Sequence, residues 1–145
     1  MPVRMELSRI LIRELNDFQV IELREVADGN GEPSPEAQVR SFPIVIGLPE
    51  AQAIERRLKG IPIKRPQTHD LLANVIAALG GELVSISVTD LTDHTYYATL
   101  DIRTSSGEVI HVDSRPSDAI ALGVAGGVPI YVEESVIESA LRDEA

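Results

Sequence analysis

The chain has 145 residues, of which 43% are hydrophobic and 3% aromatic, and it carries a net charge of −10 at neutral pH. This length and composition fit one globular domain with an aliphatic core, and they exclude a disordered chain. The absence of cysteine excludes disulfides, thiolate nucleophiles and cysteine-bound zinc.

The charge is distributed unevenly. Residues 1–65 hold ten basic and ten acidic residues, whereas residues 66–145 hold three basic and thirteen acidic ones. Nonspecific nucleic-acid binding usually needs a basic face, so this balance counts against a plain DNA-binding module. No apolar run reaches the roughly 18 residues that a membrane span needs, and the first residues lack the apolar core of a signal peptide. The expectation is a cytoplasmic protein that does not enter membranes.

The first part of the chain reads as strands. A turn is predicted at Asn16–Asp17, and the Gly- and Pro-rich residues 28–38 are predicted to form a mobile loop. Pro43 indicates an edge or bulge position, because proline cannot donate a hydrogen bond to a neighbouring strand. The predicted strands are Met5 to Arg13, Val20 to Arg24 and Val39 to Ile46.

Two helices follow. The first is predicted from Pro49 to Lys59, where Gly60 ends it, with Glu50 near its start and three cations near its end as the helix dipole favours. These cations, Arg56, Arg57 and Lys59, are interpreted as a solvated face. The second helix is predicted to start at Thr68 as N-cap and to carry an apolar stripe as far as Leu79.

The remainder is predicted to form a three-stranded antiparallel meander, then a helix, a strand and a helix. The meander comprises Leu83 to Thr89, Tyr97 to Arg103 and Glu108 to Asp113; the later elements are Pro116 to Leu122, Val128 to Val132 and Glu133 to Leu141. We therefore predict an α+β fold. It has a mixed, largely antiparallel β-sheet with three to four packed helices in a single compact domain spanning residues 1–145.

Two stretches share one pattern. Asp113 to Ile120 reads D-S-R-P-S-D-A-I, and Arg65 to Leu72 reads R-P-Q-T-H-D-L-L. In both, an Arg-Pro pair precedes a hydroxyl residue, an aspartate in the first helical turn and then aliphatic residues. Each stretch therefore contains a guanidinium group, a hydroxyl group and a carboxylate, which are side-chain groups that catalysis and ligand binding use.

These motifs resemble the bifunctional nuclease domain family. The resemblance is carried by R-P-Q-T-H-D-L-L at 65–72, Y-A-T-L at 97–100, D-S-R-P-S-D-A-I-A-L at 113–122, P-I-Y-V at 129–132 and, upstream, P-I-V-I-G-L-P-E-A at 43–51. It implies a compact α+β domain that is usually a homo-oligomer and that cleaves both DNA and RNA. It does not assign roles to individual residues.

The cleavage of DNA and RNA that the resemblance implies is hydrolysis of phosphodiester bonds, and this reaction suggests chemical roles for residues of these motifs. Carboxylates can hold Mg²⁺ or Mn²⁺, and the candidate metal ligands are Asp113, Asp118 and Asp70, with Asp90, Asp93 and Asp101 as weaker candidates. Arg115 and Arg65 are candidate phosphate clamps, and His69 is a candidate general base. Further candidates for phosphate binding are Arg56, Arg57 and Lys64.

Each candidate also has a structural interpretation. Asp70 and Asp118 can cap helices, and the two arginines can pair with acids inside the fold. His69 can be a hydrogen-bonded side chain, His111 a cross-strand contact and His94 a turn residue. On this interpretation the chain is a noncatalytic regulatory or assembly domain, and a small-anion sensor is a third possibility. The sequence has no G-x-S-x-G, Walker A or dinucleotide-binding motif.

Overall fold

The computed structural model describes residues 2–12, 18–26 and 39–143. The predicted turn at Asn16–Asp17 and the predicted loop at 28–38 lie outside the described residues. The described strands are β1 (Pro2–Leu11), β2 (Gln19–Glu25), β3 (Ser41–Ile46), β4 (Glu82–Thr92), β5 (Thr95–Arg103), β6 (Val109–Ser114) and β7 (Ile130–Glu133). The described helices are α1 (Leu48–Lys59), α2 (Thr68–Ala78), α3 (Pro116–Val124) and α4 (Glu134–Asp143).

All described strands belong to one sheet, in the order β3-β2-β1-β7-β4-β5-β6. Every neighbouring pair is antiparallel except β4 and β7, which run parallel. The prediction of an α+β fold with a mixed, largely antiparallel sheet is therefore confirmed. β3 lies at one edge, as Pro43 predicted, and β6 lies at the other. None of the helices in the described ranges is long and apolar enough to cross a membrane.

The sheet curls around its core. Phe42 of β3 stacks on Tyr96 of β5 with ring centroids 5.8 Å apart, although four strands separate β3 from β5 in the sheet. Alternate side chains of the strands point into the space that this curvature encloses, as the period of two requires. One continuous cluster of buried aliphatic residues fills it, with Phe42 as its buried aromatic member.

Helix α3 lies in the middle of this core, and most of its residues are buried. It approaches β4 so closely that a Cβ atom on Gly123 would stand 2.4 Å from Cδ1 of Ile86. Glycine at this position therefore fixes the distance between α3 and the sheet, and so the position of the residues at the start of α3.

Two local predictions were wrong. The N-cap of α2 is Gln67 rather than Thr68, because the Gln67 side chain and Asp70 form a reciprocal capping box. β4 and β5 extend further toward each other than the predicted Leu83 to Thr89 and Tyr97 to Arg103, since Asp93 and His94 alone form the turn between them, with positive φ angles of 52° and 61°. Two consecutive positive φ angles suit a tight hairpin, which lengthens both flanking strands.

Replacement of Gly123 by alanine should destabilise the protein by about 1–3 kcal/mol, because the added methyl group overpacks the contact with Ile86. Urea unfolding measures the change. The matched control is Gly126→Ala, where the nearest atom to the added Cβ is 3.7 Å away. Equal stability of the two variants would contradict the close packing of α3.

Candidate functional site

A cleft of about 340 Å³ lies where the N-terminal ends of α1, α2 and α3 meet. Its polar wall contains Glu50 from α1, His69 from α2, and Arg115 and Asp118 from the start of α3. A second cleft of about 380 Å³, lined by β3, the β4–β5 turn and the start of α3, shares Glu50 and Arg115 with the first. Arg115 therefore stands between two adjoining clefts.

The charged groups of the first cleft form one hydrogen-bonded chain. Arg115 donates from Nε to Asp118 Oδ2 over 2.8 Å and from a terminal nitrogen to Asp118 Oδ1 over 3.1 Å. Its other terminal nitrogen donates to Glu50 Oε1 over 3.3 Å. His69 Nε2 lies 2.9 Å from Asp118 Oδ1. The chain Glu50–Arg115–Asp118–His69 thus connects three helices.

Asp118 is held as a carboxylate. Partial burial alone would raise its pKa, but the hydrogen bonds from Arg115 and His69 outweigh burial and lower the pKa below its ordinary value. An ionised carboxylate only accepts hydrogen bonds, so His69 Nε2 carries the proton. In the neutral ring Nδ1 is then the basic nitrogen. Arg115 keeps 63% of its side chain exposed and can reach a ligand.

Asp70, the neighbour of His69, belongs to a second network that faces inward. Arg56 donates to Asp70 Oδ2 over 2.6 Å, and Arg57 donates to Asp70 Oδ1. Arg57 also donates to the carbonyl oxygens of Ala121, over 2.5 Å, and Leu122, over 3.1 Å. This network ties α1 to α2 and to the end of α3. The expected solvated face for these two arginines is wrong, because both side chains are largely buried.

Asp70 also caps its own helix, as the structural interpretation predicted. Its Oδ2 accepts the backbone N–H of Gln67 over 3.0 Å. Burial would raise its pKa, but this hydrogen bond and the charge of Arg56 lower it. Because the folded pKa is lowered, the stabilisation is complete above the ordinary pKa of an aspartate and is lost as the pH falls below it.

The three carboxylates predicted to bind a metal do not form one group. Asp70 and Asp118 are each engaged by guanidinium groups, and Asp113 is exposed on β6. Within residues 2–12, 18–26 and 39–143, no cluster of three His, Asp or Glu side chains could hold a metal ion. The donor set as it stands does not fit a preformed Mg²⁺ or Mn²⁺ site.

The predicted phosphate-binding residues differ in whether their side chains are already engaged in ion pairs or are free to bind a phosphate. Arg56 and Arg57 are engaged by Asp70, and Arg115 bridges Asp118 and Glu50. Lys64 and Arg65 lie on the exposed segment just before Gln67, a residue that lines the first cleft. Within the part of the chain that the structure describes, neither has an ion-pair partner.

One residue of the site was missed by sequence reasoning. Glu50 is an acid in a first helical turn, as Asp70 and Asp118 are, and this shared position is the signal that could have placed it in the site. Asp101 on β5, which the sequence offered only as a weaker candidate metal ligand, is 3% exposed and lies outside the two clefts.

Asp101 accepts four hydrogen bonds. Ser85 and Ser87 donate to Oδ2 over 2.7 and 2.6 Å, and Thr99 donates to Oδ1 over 2.8 Å. His111 Nδ1 lies 2.7 Å from Oδ1, which confirms the predicted cross-strand contact. Burial would raise the pKa of Asp101, but these donors lower it. The network fixes the registers of β4, β5 and β6.

Arg57→Lys should destabilise the protein by about 2–4 kcal/mol, because lysine cannot replace three donors held in a planar fork and leaves a largely buried carboxylate poorly paired. Thermal unfolding measures the loss. The control is Arg103→Lys, which alters an exposed pair with Glu82 and should change stability by about 0.5 kcal/mol or less. An Arg57→Lys variant as stable as this control would contradict the role assigned to the network.

Comparison with known proteins agrees with the motifs. Residues 34–144 match the family described as Bifunctional nuclease domain. The chain is also 45% identical over 101 residues to the uncharacterized proteins MT1877 and Rv1829 of two Mycobacterium tuberculosis strains. Each alignment covers 70% of this chain and 59% of the relative, so the chain spans less than two thirds of these relatives. The chain belongs to the bifunctional nuclease domain family.

Proposed function

We propose that the chain hydrolyses phosphodiester bonds of DNA and RNA in the cleft lined by Arg115, Asp118 and His69. Membership of the family supports the activity. The observation that carries the location is the hydrogen-bonded Glu50–Arg115–Asp118–His69 chain, which places a carboxylate-oriented imidazole beside an exposed guanidinium. An oriented base that activates water and a cation that stabilises charge at phosphorus are two of the groups that hydrolysis of a phosphodiester uses.

The nucleophile is water, because a site that cleaves DNA cannot rely on a 2′-hydroxyl group. His69 Nδ1 accepts a proton from this water as the oxygen forms its bond to phosphorus. The bond from phosphorus to the leaving oxygen breaks, and that oxygen takes a proton from solvent. Asp118 stabilises the imidazolium formed on His69, and Arg115 donates to the oxygens on which negative charge develops.

The substrate is proposed to be a strand rather than a mononucleotide. The two clefts adjoin at Arg115, so a chain of phosphates can continue on either side of the reacting one. Lys64 and Arg65 precede the first cleft and supply cations for a flanking phosphate. The dependence on Mg²⁺ or Mn²⁺ stays a prediction, and no step is assigned to a metal because its predicted ligands are not brought together.

A noncatalytic regulatory or assembly domain is the second candidate. The first-turn carboxylates of the two Arg-Pro stretches, Asp70 and Asp118, already have arginine partners, which is what an architectural role requires. The net charge of −10 also disfavours a polyanionic substrate. Cleavage by purified protein decides between the two candidates. The expected cytoplasmic location and homo-oligomeric state stay predictions.

Asp118→Asn and His69→Gln should each lower the cleavage rate of single-stranded DNA and RNA by about 100-fold or more, because the first removes the carboxylate that orients the general base and the second removes the base itself. The rates are measured on purified proteins with Mg²⁺, with Mn²⁺ and with EDTA, and circular dichroism checks the fold. The control is His111→Gln, the same substitution at a histidine that also pairs with an aspartate but lies on β6.

A cleavage rate that is the same in the wild-type protein, in Asp118→Asn, in His69→Gln and in the control would indicate a contaminating nuclease or another site. Absence of cleavage by the wild-type protein would favour the regulatory domain.

The double variant Lys64→Gln/Arg65→Gln should weaken binding of single-stranded DNA and flatten its salt dependence. The slope of log K against log salt concentration should fall by about 0.7 for each lost phosphate contact. Binding is measured in the Asp118→Asn background, so that the strand stays intact. The control is Arg9→Gln/Arg24→Gln, which removes two exposed arginines from β1 and β2. An unchanged slope would remove Lys64 and Arg65 from the binding surface.

A further inference from the structure

The start of helix α3 has hydrogen-bond donors that the fold leaves unpaired. Pro116 has no N–H group, and the N–H of Ala119 donates to the carbonyl oxygen of Arg115 over 3.1 Å. Within the part of the chain that the structure describes, the N–H groups of Ser117 and Asp118 have no partner, and no side chain caps this helix. The first N–H groups of a helix point out of its end and favour an anion there.

The hydroxyl group of Ser117 is a second and independent observation. Ser117 is 5% exposed and lines the second cleft. Its Oγ makes no hydrogen bond to any residue in the described ranges, whereas the hydroxyl of Ser114 donates to the carbonyl oxygen of Arg115 over 2.8 Å. Among the described side chains, Arg56 Nε is the only unpartnered polar atom that is fully enclosed, so Ser117 Oγ keeps an opening to the second cleft. A nearly buried hydroxyl without a partner costs free energy, and a ligand that accepts its hydrogen bond removes this cost.

The second cleft also has an apolar wall. Phe18 lies just before β2 and exposes 59% of its surface. The apolar residues that line the cleft with it are Ile44, Val45, Ile46 and Tyr96. The volume of about 380 Å³ lies within the range of about 300–1,000 Å³ that small-molecule sites occupy. The cleft therefore combines an anion-attracting end, at the start of α3, with an exposed aromatic ring.

The donors and charges of the cleft indicate which anion fits. Two N–H groups, the Ser117 hydroxyl and the exposed Arg115 guanidinium lie at the same end of the cleft, and a phosphate group has enough oxygens to accept from all of them. Glu50 lines the cleft as well, and its carboxylate accepts a hydrogen bond from Arg115 over 3.3 Å. Neutral donors rather than excess positive charge therefore hold the anion, so we expect modest affinity. An exposed aromatic ring beside a phosphate site suits a nucleobase, since every base has a face that can stack.

We propose that the second cleft binds a nucleoside phosphate, with its phosphate group at the start of α3 and its base against Phe18. The phosphate accepts hydrogen bonds from Ser117 Oγ and from the N–H groups of Ser117 and Asp118, and Arg115 offsets its charge. A nucleotide within a bound strand and a free mononucleotide both present these groups. For the strand, the inference rests on the function proposed above, and the cleft then holds the nucleotide next to the reacting phosphate. For the mononucleotide, it is independent of catalysis.

Ser117→Ala tests the phosphate contact. The dissociation constant of adenosine monophosphate, measured by titration calorimetry, should rise by about 10-fold, because a hydrogen bond to a charged group is lost. The melting temperature should stay the same or rise, since the hydroxyl has no partner in the fold to lose. The control is Ser114→Ala, which removes a neighbouring hydroxyl outside the lining of both clefts and should leave the affinity unchanged. Phe18→Ala should raise the dissociation constant of adenosine monophosphate by about 5-fold or more and leave that of inorganic phosphate unchanged.

A single-stranded oligonucleotide distinguishes the two sources of the phosphate. Its binding is measured by fluorescence anisotropy in the His69→Gln background, so that the strand stays intact. If Ser117→Ala weakens binding of both ligands, the cleft holds a nucleotide of the strand. If it weakens binding of adenosine monophosphate alone, the cleft holds a free mononucleotide.

Three results would overturn the site. They are the absence of adenosine monophosphate binding at millimolar concentrations, equal affinity in the wild-type protein and Ser117→Ala, and a lower melting temperature of Ser117→Ala, which would show that the hydroxyl has a structural partner. None of these measurements uses cleavage. A protein that binds adenosine monophosphate through Ser117 and cleaves no strand would therefore defeat the proposed nuclease function and leave the nucleoside phosphate site standing.

Discussion

The ion pairs around Asp70 are the constraint from which the arrangement of the site follows. Two arginines from α1 hold this carboxylate, and one of them, Arg57, also binds the last carbonyl groups of α3. Three helices are thereby fixed relative to one another at a point behind the cleft. His69 and Asp70 are consecutive on α2, so their side chains diverge by about 100°. The ion pairs of Asp70 consequently orient the side chain of His69 toward Asp118.

This arrangement explains how an acidic protein can present a site for an anion. Arg56 and Arg57 are used internally, where they keep Asp70 ionised and restrain the helices. Arg115 differs because most of its side chain remains in solvent while it binds Asp118. It can therefore turn part of its guanidinium group toward a phosphate without leaving the carboxylate. Such a site engages a phosphate through few contacts, so its affinity should depend only weakly on salt, because the dependence grows with the number of phosphate contacts.

The sequence allowed the element order and the fold class to be predicted, because strand alternation, helix stripes and glycine stops are local properties. It did not allow the ion-pair partners of the site residues to be predicted. The two Arg-Pro stretches look alike, but Arg115 precedes Asp118 by three positions and reaches it across one helical turn. Arg65 precedes Asp70 by five positions, and Asp70 instead binds arginines from α1. Which residues of α1 approach α2 is a result of tertiary packing that no local pattern contains.

The same limit applies to the apolar stripe of α2. Sequence reasoning placed Leu71, Leu72, Val75, Ile76 and Leu79 in one apolar stripe, and a stripe of this kind ordinarily faces the core of its own chain. In the structure the polar first turn and Ile76 face inward and the other four residues of the stripe are exposed, since the ion pairs of Asp70 and the contact of Ile76 beside Gly81 set the rotation of the helix. The rotation of the helix is thus decided by the ion pairs of Asp70 at its start and by the contact of Ile76 near its end. A change that weakens either would turn His69 away from Asp118, so the geometry of the site depends on the orientation of one helix.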